Sequence, residues 1–336
     1  MFERSLADAP DPEAKATANY WLGEIAFNQK DYNTSQRYMG NFLAAAKTLK
    51  SLPSESSVFM ANYIQGYNFL REKNYQQSLT YFQDCVAGIK REYNTISNDY
   101  IKNQILGDAT LRLGDCYFKR NRYDEAMRYY DEAVNKKYAG YVYALYQKGI
   151  IQGLRGKNEE KLLNLERLAD NFPESEFAAP ALLEAGITYQ NLNQLDRAQQ
   201  VFQRLVTNYK SKSEIVNQAL LRMGLIAQNR GSNESAISYY KQVFYNNPNP
   251  SDAKSALSRL EDIYVNDLGK PDEYFAFLQT IPGYNVDNMA KDSISFRAAE
   301  TQFEQGNYDR AIANFTSYLS RFPNSPNTIT VLFLSC

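Results

Sequence analysis

The stretch LGDCYFKRNRYDEAMRYYDEA, residues 113–133, decides the fold of this chain. On both sides of the polar segment 119–122, apolar residues recur three and four positions apart, which is the spacing of two amphipathic helices. Gly114 on the first helix lies twelve positions before Ala126 on the second. If the helices run antiparallel, these small residues meet where the helices cross, and larger residues such as Tyr130 fill the surrounding space. The stretch therefore predicts a tightly packed helix pair.

The same frame recurs along the whole chain. Glycine inside a helix costs about 0.5–1 kcal/mol relative to alanine, so its repeated use indicates close contact between two helices. Repeats of this length are typical of helical solenoids, because one helix pair cannot bury its apolar face alone. The sequence therefore predicts an all-α fold, an α-solenoid of stacked antiparallel helix pairs. The paired small positions are Gly23 and Ser35, Gly66 and Ser78, Gly114 and Ala126, Gly186 and Ala198, Gly224 and Ala236, and Ala299 and Ala311.

We expect one continuous solenoid over residues 1–336, divided into eight units. Thirteen residues separate Pro173 from Gly186, and the same count from Pro323 leads to Cys336, the last residue. We therefore expect the chain to begin and end within a repeat and to be part of a longer array. The units comprise residues 16–50, 59–94, 107–138, 142–175, 179–212, 217–250, 254–283 and 292–325.

Two units depart from the frame. In the seventh unit, which is degenerate, Glu261 and Glu273 occupy the two small positions. Pro282 is expected to shorten its second helix, because proline interrupts helical hydrogen bonding. In the fourth unit, Lys161 stands where a small residue is expected. The sequence predicts a kink or a shortened helix pair in the seventh unit.

One position between the two helices of a unit carries residues that tolerate a left-handed backbone. Lys30 and Lys73 occupy this position in the first two units, which predicts strained turns there. Prolines mark the end of a unit. They follow the second helix, where a proline interrupts no helical hydrogen bond. The remaining turn residues are Asn121, Gly156, Asn193, Gly231 and Gly306, and the prolines are Pro10, Pro173, Pro248 and Pro323.

This frame resembles the tetratricopeptide repeat, and the resemblance covers nearly the whole chain. The W-x2-L-G-x2-Y…A-x3-F…P pattern of that family is matched most fully by Leu113, Gly114, Tyr117, Ala126 and Tyr130. The resemblance implies a right-handed superhelix with a concave groove. It also implies a non-enzymatic scaffold that binds a protein or peptide partner.

Aromatic and apolar side chains occupy the face of the first helices that lines the groove in the resembled family. Two interpretations stay open, an aromatic ligand-binding groove and packing between repeats, because framework positions account for about half of the 27 tyrosines. Co-chaperone members hold a C-terminal carboxylate with a cationic clamp, which this face lacks, so we do not expect binding of chaperone tails. The candidate residues are Tyr20, Phe27, Tyr63, Tyr67, Leu70, Phe118, Tyr143 and Tyr146.

Two other functions fit the same pattern. The aromatic residues suit a glycan- or peptidoglycan-binding module, since aromatic rings often contact sugars. The array also suits the non-catalytic arm of a larger enzyme or regulator. Loss of partner capture after replacing Tyr63, Tyr67 and Tyr146 with alanine would favour the scaffold, whereas saturable muropeptide binding would favour the glycan module.

Composition excludes several classes of site. The chain has no histidine, which excludes catalysis by Ser-His-Asp or Cys-His groups and His-ligated metals. Without a phosphate-binding loop or a CxxC motif, we predict no cofactor and no metal. A net charge of −1 gives no indication of nucleic-acid binding, and no apolar run reaches the roughly 20 residues that cross a membrane. Cys85 and Cys116 fit packed thiols or, alternatively, a disulfide or redox pair.

A short submotif in the later units points to a cellular location. Residues 172–175 read Phe-Pro-Glu-Ser, and residues 322–325 read Phe-Pro-Asn-Ser. This ending resembles repeat arrays of bacterial cell-envelope proteins, such as the Tol–Pal-associated periplasmic coordinator and the lipoprotein of the β-barrel assembly machine. The resemblance implies a periplasmic or outer-membrane-associated protein. The first ten residues show no signal peptide.

Overall fold

A computed structural model describes residues 11–49, 57–284 and 286–334. Within these ranges the regular structure is entirely helical, which confirms the predicted all-α solenoid fold. The chain forms two compact units, an N-terminal unit (residues 1–181) and a C-terminal unit (182–336). The helices of the N-terminal unit are α1 (Pro12–Asn28), α2 (Tyr32–Ala46), α3 (Val58–Arg71), α4 (Tyr75–Arg91), a π-helix (Ile101–Ile105), α5 (Leu106–Lys119), α6 (Tyr123–Asn135), α7 (Tyr141–Leu154) and α8 (Asn158–Asn171).

The next helix along the chain is α9 (Ala178–Asn191). The helices that follow are α10 (Leu195–Asn208), α11 (Ser213–Asn229), α12 (Asn233–Tyr245), α13 (Pro250–Glu261), a second π-helix (Asp262–Asp267), α14 (Pro271–Gln279), α15 (Asn288–Glu304), α16 (Tyr308–Arg321) and α17 (Thr328–Leu334). Within each unit, successive helices pack as hairpins, and the second helix of one hairpin packs on the first helix of the next.

The glycines on the first helices make room for a large side chain of the second helix. A Cβ atom on Gly114 would lie 2.5 Å from a ring carbon of Tyr130, sixteen residues later. The small residue twelve positions after each such glycine lies beside the glycine–ring contact. In the second unit, the Ser78 hydroxyl donates to the Gly66 carbonyl oxygen at 2.8 Å. The predicted reason for the glycines, close approach of two helices, is confirmed.

The turn position has a left-handed backbone in every predicted case. Lys30 and Lys73 have φ angles of +64° and +61°, so both lysines adopt a conformation that non-glycine residues seldom take. The other turn residues share it, with positive φ at Asn121, Gly156, Asn193, Gly231 and Gly306. Pro10 and Cys336, which also entered the predicted frame, lie outside the described residues.

Lys161 in the fourth unit is accommodated by an additional glycine. A Cβ atom on Gly153 would lie 2.7 Å from Cδ of Lys161, so the lysine stem packs against the bare backbone of α7. Gly149, at the glycine position that this unit shares with the others, packs beneath the Leu165 side chain as Gly114 packs beneath Tyr130. A long side chain therefore replaces the small residue without separating the two helices.

The seventh unit departs from the predicted frame by one residue. Its second helix, α14, has nine residues and ends at Gln279, as Pro282 predicts. The small position of this helix, however, is occupied by Tyr274, which is buried. The assignment of Glu273 to that position was wrong, because the second π-helix inserts one extra residue before the turn.

The two described cysteines are buried, unpaired thiols, which excludes the disulfide interpretation for them. Burial raises the pKa of Cys85 to about 12 and that of Cys116 to about 11. Among residues 11–49, 57–284 and 286–334, none of the helices has the length and hydropathy of a membrane span. In the same part of the chain, no cluster of three or more cysteine or acidic side chains could hold a metal ion.

Candidate functional site

A groove of about 460 Å³ opens on the N-terminal unit along helices α3, α5 and α7. These are the first helices of the second, third and fourth repeats, so equivalent faces of consecutive repeats meet there. The groove combines apolar and charged side chains. Its lining consists of Tyr67, Leu70, Arg71, Lys73, Tyr75, Arg112, Asp115, Phe118, Lys119, Tyr143 and Gln147.

Two carboxylates on α5 accept hydrogen bonds from tyrosine hydroxyls of the neighbouring helices. Asp108 accepts hydrogen bonds from Tyr63 at 2.8 Å and from Tyr67 at 2.5 Å, both on α3. Burial and the Asp108 charge raise the pKa of both tyrosines above the usual range. Hydrogen bonds to a carboxylate are stronger than those between neutral groups, so this contact fixes α3 against α5.

Asp115, two turns further along α5, makes the corresponding contacts with the other side of the groove. Its carboxylate accepts hydrogen bonds from Tyr130 on α6 at 2.6 Å and from Tyr143 on α7 at 2.8 Å. Burial raises the pKa of Asp115, although the nearby Arg112 guanidinium acts in the opposite direction. The aspartates at positions 108 and 115 therefore tie α5 to its neighbours on both sides.

Arg112 lies between these two carboxylates. Its Nε and one terminal nitrogen each donate to Asp108 at 3.3 Å, and its other terminal nitrogen donates to Asp115. The guanidinium carbon lies 5.5 Å from the ring centroid of Tyr143, within the range of a cation–π contact. Burial would lower the pKa of Arg112, but the charges of Asp115 and Asp108 raise it. Arg112 is therefore held in a fixed position at the groove, with its charge offset by the two carboxylates.

Asp108, Arg112 and Asp115 form a hydrogen-bonded network with the tyrosines, and this network determines which part of each tyrosine side chain can face a ligand. The hydroxyls of Tyr63, Tyr67 and Tyr143 are engaged with carboxylates, so the polar tips point to the network rather than to a ligand. The rings of Tyr63 and Tyr67 also pack edge to face, with centroids 5.0 Å apart. The groove therefore has rigid aromatic walls, which need little ordering when a ligand binds.

Four of the eight predicted ligand-binding residues line the groove: Tyr67, Leu70, Phe118 and Tyr143. The other four do not line it, and two of them contact residues of the groove or of its hydrogen-bonded network. Tyr63 belongs to the network, and Phe27 packs on Tyr67 with ring centroids 6.3 Å apart.

The remaining two contact other aromatic rings. Tyr20 is buried against Phe42, with ring centroids 5.2 Å apart, and Tyr146 stacks on Phe177 at 5.8 Å. A ligand-binding role for the eight residues stays a prediction.

Sequence reasoning missed the charged part of the site. The four cations that line the groove, Arg71, Lys73, Arg112 and Lys119, come from two first helices and one turn. In the sequence, acidic residues lie between these cations, so the sequence alone indicated evenly mixed positive and negative charge. One local signal was present, since Asp108, Arg112 and Asp115 have the i,i+4 and i,i+3 spacing of helical ion pairs.

Comparison with known proteins agrees with the repeat frame. A family profile described as Tetratricopeptide repeat matches residues 107–137, and a second profile with the same description matches 143–175, 180–211, 218–250 and 294–325. No curated protein sequence matches the chain.

Several solved structures are similar to the chain. The apo form of RapI is 13% identical and covers 95% of this chain and 89% of its own, with a TM-score of 0.58. The C-terminal part of a TPR repeat-containing protein from Cytophaga hutchinsonii is 12% identical and covers 93% and 99%, with a TM-score of 0.51. A tetratricopeptide repeat protein from Parabacteroides merdae is 16% identical and covers 83% and 99%, with a TM-score of 0.45. At these identities, the first two structures, with TM-scores above 0.5, indicate a shared fold alone.

Proposed function

We propose that this chain is a non-enzymatic scaffold whose N-terminal unit binds an extended segment of a partner protein. The premise is that the chain is a tetratricopeptide-repeat protein. The fold is typical of protein–protein and protein–peptide interaction. The observation that carries the proposal is the groove along α3, α5 and α7, with five half-buried apolar or aromatic side chains exposed to it.

The dimensions and the lining of the groove support a peptide ligand. Its volume of about 460 Å³ lies within the range of about 300–1,000 Å³ that is typical of ligand pockets. Leu70 and Phe118 are partly buried against the core of the unit and keep part of their surface in the groove. Apolar side chains of a bound segment would remove this surface from water.

The test replaces groove residues that take no part in the hydrogen-bonded network. The double variant Leu70→Ala/Phe118→Ala shortens two walls of the groove and leaves Asp108, Arg112 and Asp115 in place. A library of random displayed peptides, selected on the wild-type chain and on this variant, provides the readout. We expect enrichment on the wild type and a loss of at least about tenfold on the variant, since each truncation removes roughly 1 kcal/mol or more of apolar contact.

Leu163→Ala is the matched control, because Leu163 lies on α8 and is 49% exposed outside the groove. This variant should enrich the same peptides as the wild type, and circular dichroism should show equal helicity for all three proteins. Equal enrichment on the double variant and the wild type would contradict the proposal. Saturable binding of muropeptides, with no peptide enriched, would favour the glycan-binding alternative instead.

We also propose a place in the bacterial cell envelope, which is supported only by the resemblance of the submotif at residues 172–175 and 322–325. In both copies the serine caps a turn: the Phe177 and Asn327 backbone N–H groups donate to Ser175 and Ser325, each at 3.2 Å. Protease treatment of spheroplasts of the native host tests the location. Degradation in intact spheroplasts is expected, and protection until lysis would contradict it.

A further inference from the structure

The groove concentrates positive charge in a protein that is nearly neutral. Its lining residues include four cationic side chains and one carboxylate, and among the described residues the only one of these cations that is ion-paired is Arg112, with Asp115 and with Asp108 beside the groove. The whole chain, by contrast, has a net charge of −1. A cleft lined by one sign of charge raises the local concentration of oppositely charged ligands. The charge of the groove therefore restricts the kind of segment that the proposed scaffold would bind.

The three cations at the rim are available to a ligand. Arg71, Lys73 and Lys119 are exposed, and in the described part of the chain none of them forms an ion pair. Some other exposed cations of the same unit have acidic partners, as Arg122 has Glu125 and Lys157 has Glu160. The rim cations differ from other exposed lysines such as Lys30 and Lys136 because they line one groove together.

Arg112 adds hydrogen-bond donors at a fixed position in the groove, while its charge is offset by Asp108 and Asp115. Its three hydrogen bonds to carboxylates use three of the five N–H donors of a guanidinium group. A guanidinium held in this way is preorganised, so little side-chain entropy is lost when a further acceptor binds. Asp108 and Asp115 act here as positioning residues for Arg112.

We propose that the groove binds an internal segment of a partner protein in which acidic side chains flank apolar ones. The acidic side chains would pair with Arg71, Lys73, Lys119 and Arg112, and the apolar ones would pack against Leu70, Phe118 and the tyrosine rings. A single C-terminal carboxylate would neutralise only one of these charges, so the carboxylates come from Asp and Glu side chains. This inference rests on the proposed peptide-binding function.

The first experiment asks which peptides the wild-type chain selects from the random displayed library. We expect the enriched peptides to carry several Asp or Glu residues and few Lys or Arg residues. Enriched peptides that are neutral or basic, yet lost on Leu70→Ala/Phe118→Ala, would overturn the charge inference and leave the proposed function intact. No enrichment on the wild type would contradict both.

The second experiment measures affinity by fluorescence anisotropy with the most enriched peptide, acetylated and amidated so that its ends are neutral. We expect affinity to fall at least about tenfold when its Asp and Glu residues become Asn and Gln, and to fall as NaCl rises from about 0.05 M to about 0.5 M. A peptide with a free C-terminal carboxylate and neutral side chains should bind no better than the neutral amide. Equal affinity of the acidic and neutral peptides, or tight binding of the free-acid peptide alone, would overturn the inference.

The chain offers a matched pair of variants for this measurement. Lys73 and Lys30 occupy the same turn position in consecutive repeats, and asparagine occupies that position at Asn121 and Asn193 with the same positive φ. Lys73→Asn combined with Lys119→Gln should therefore fold normally and bind the acidic peptide at least about tenfold more weakly. Lys30→Asn combined with Lys136→Gln makes the same change in net charge outside the groove and should keep wild-type affinity.

Equal losses in the two double variants would overturn the inference, because net charge alone would then explain binding. An oligothymidylate serves as the last probe. If it binds as tightly as the acidic peptide and loses affinity in the Lys73→Asn/Lys119→Gln variant, the groove recognises a polyanion and the proposal of an acidic protein segment is wrong.

Discussion

Two neighbouring helix pairs of the C-terminal unit, α11–α12 and α13–α14, differ in a way that shows what holds a repeat together. In the first pair, Gly224 lies beneath the Tyr240 ring, and a Cβ atom there would be 2.4 Å from a ring carbon. In the second pair, Glu261 stands at the glycine position and a π-helix follows it directly. The second helix then has nine residues, compared with thirteen in α12.

One inserted residue accounts for much of this difference. The left-handed turn residue Gly231 comes seven positions after Gly224, but Gly269 comes eight positions after Glu261. A π-helix accommodates an extra residue because its hydrogen bonds reach one residue further, and the Leu268 N–H indeed bonds the Ile263 carbonyl oxygen at 2.9 Å. Helix α14 is consequently shifted by one residue relative to its first helix.

The shift places a large residue where the other units have a small one. Tyr274 occupies the small position and donates its hydroxyl to Glu261 at 3.4 Å, and Glu261 also pairs with Arg297 on α15. Beside these residues lies a cleft of about 740 Å³, lined in part by Tyr274 and Leu278 of the shortened helix. The comparison indicates that a glycine–ring contact closes a regular repeat, whereas in the seventh repeat a polar contact between Tyr274 and Glu261 stands at the same place.

The largest effect that we expect concerns the turn glycine of the irregular pair. Gly269 has a φ of +60°, and a Cβ atom there would lie 2.7 Å from Cγ of Gln302, which is fully buried. Gly269→Ala therefore adds a steric clash to backbone strain, and we expect the free energy of unfolding to fall by about 2–4 kcal/mol. Urea unfolding followed by circular dichroism measures it.

Gly231→Ala is the control for that variant, since Gly231 has a φ of +72° and open space around it. It should cost only the strain of a left-handed alanine, about 1 kcal/mol. Equal losses at the two positions would show that the irregular turn packs no more tightly than a regular one.

The repeating part of this fold could be predicted from the sequence, because each contact lies within one hairpin. The spacing from Gly224 to Tyr240 is set by one helix pair and recurs in several units. The insertion before Gly269 could not be predicted, since one extra residue barely changes the apolar periodicity. Its stabilising contacts also come from distant residues: Gln302 donates to the Asn266 carbonyl oxygen at 2.8 Å, and Asn314 donates to the Gly269 carbonyl oxygen at 2.9 Å.

The same limit applied to the candidate site. The resemblance to the repeat family placed Tyr67, Leu70, Phe118 and Tyr143 on one face of the first helices, and they line one groove. The hydrogen bond from Tyr63 to Asp108 joins residues 45 positions apart, and it depends on how one repeat stacks on the next. Periodicity within a helix carries no information about such a pair, so the aromatic half of the groove was predicted and the charged half was missed.

A second prediction tests the regular pair. We expect Gly224→Ala to lower the free energy of unfolding by about 1–3 kcal/mol, because the added methyl group must displace the buried Tyr240 ring. Urea unfolding of the purified variant measures the change.

Gly40→Ala provides a control of opposite sign. Gly40 lies within α2, and a Cβ atom there would be 3.6 Å from Nε2 of Gln65, an ordinary contact. This variant should gain about 0.5–1 kcal/mol from the better helix propensity of alanine. A stabilising effect of Gly224→Ala would contradict the role assigned to the glycine–ring contact.

The smallest effect concerns the polar contacts of the irregular pair. Glu261→Ala removes the acceptor of the Tyr274 hydroxyl, and we expect a loss of about 1 kcal/mol, limited by water entering from the adjoining cleft. A double-mutant cycle with Tyr274→Phe measures the contact itself, and a coupling energy near zero would mean that Glu261 is only a surface charge.

The pH dependence of stability provides an independent check on the same contact. Burial and the Glu261 charge raise the pKa of Tyr274, so its contribution is complete below the ordinary tyrosine pKa of about 10 and is lost as pH rises toward the raised value. Above pH 10, the wild type should therefore lose stability more steeply than Tyr274→Phe. Parallel curves for the two proteins would show that the Tyr274 hydroxyl has the same environment in the folded and unfolded chain, and the polar replacement for the glycine–ring contact would then have no energetic role.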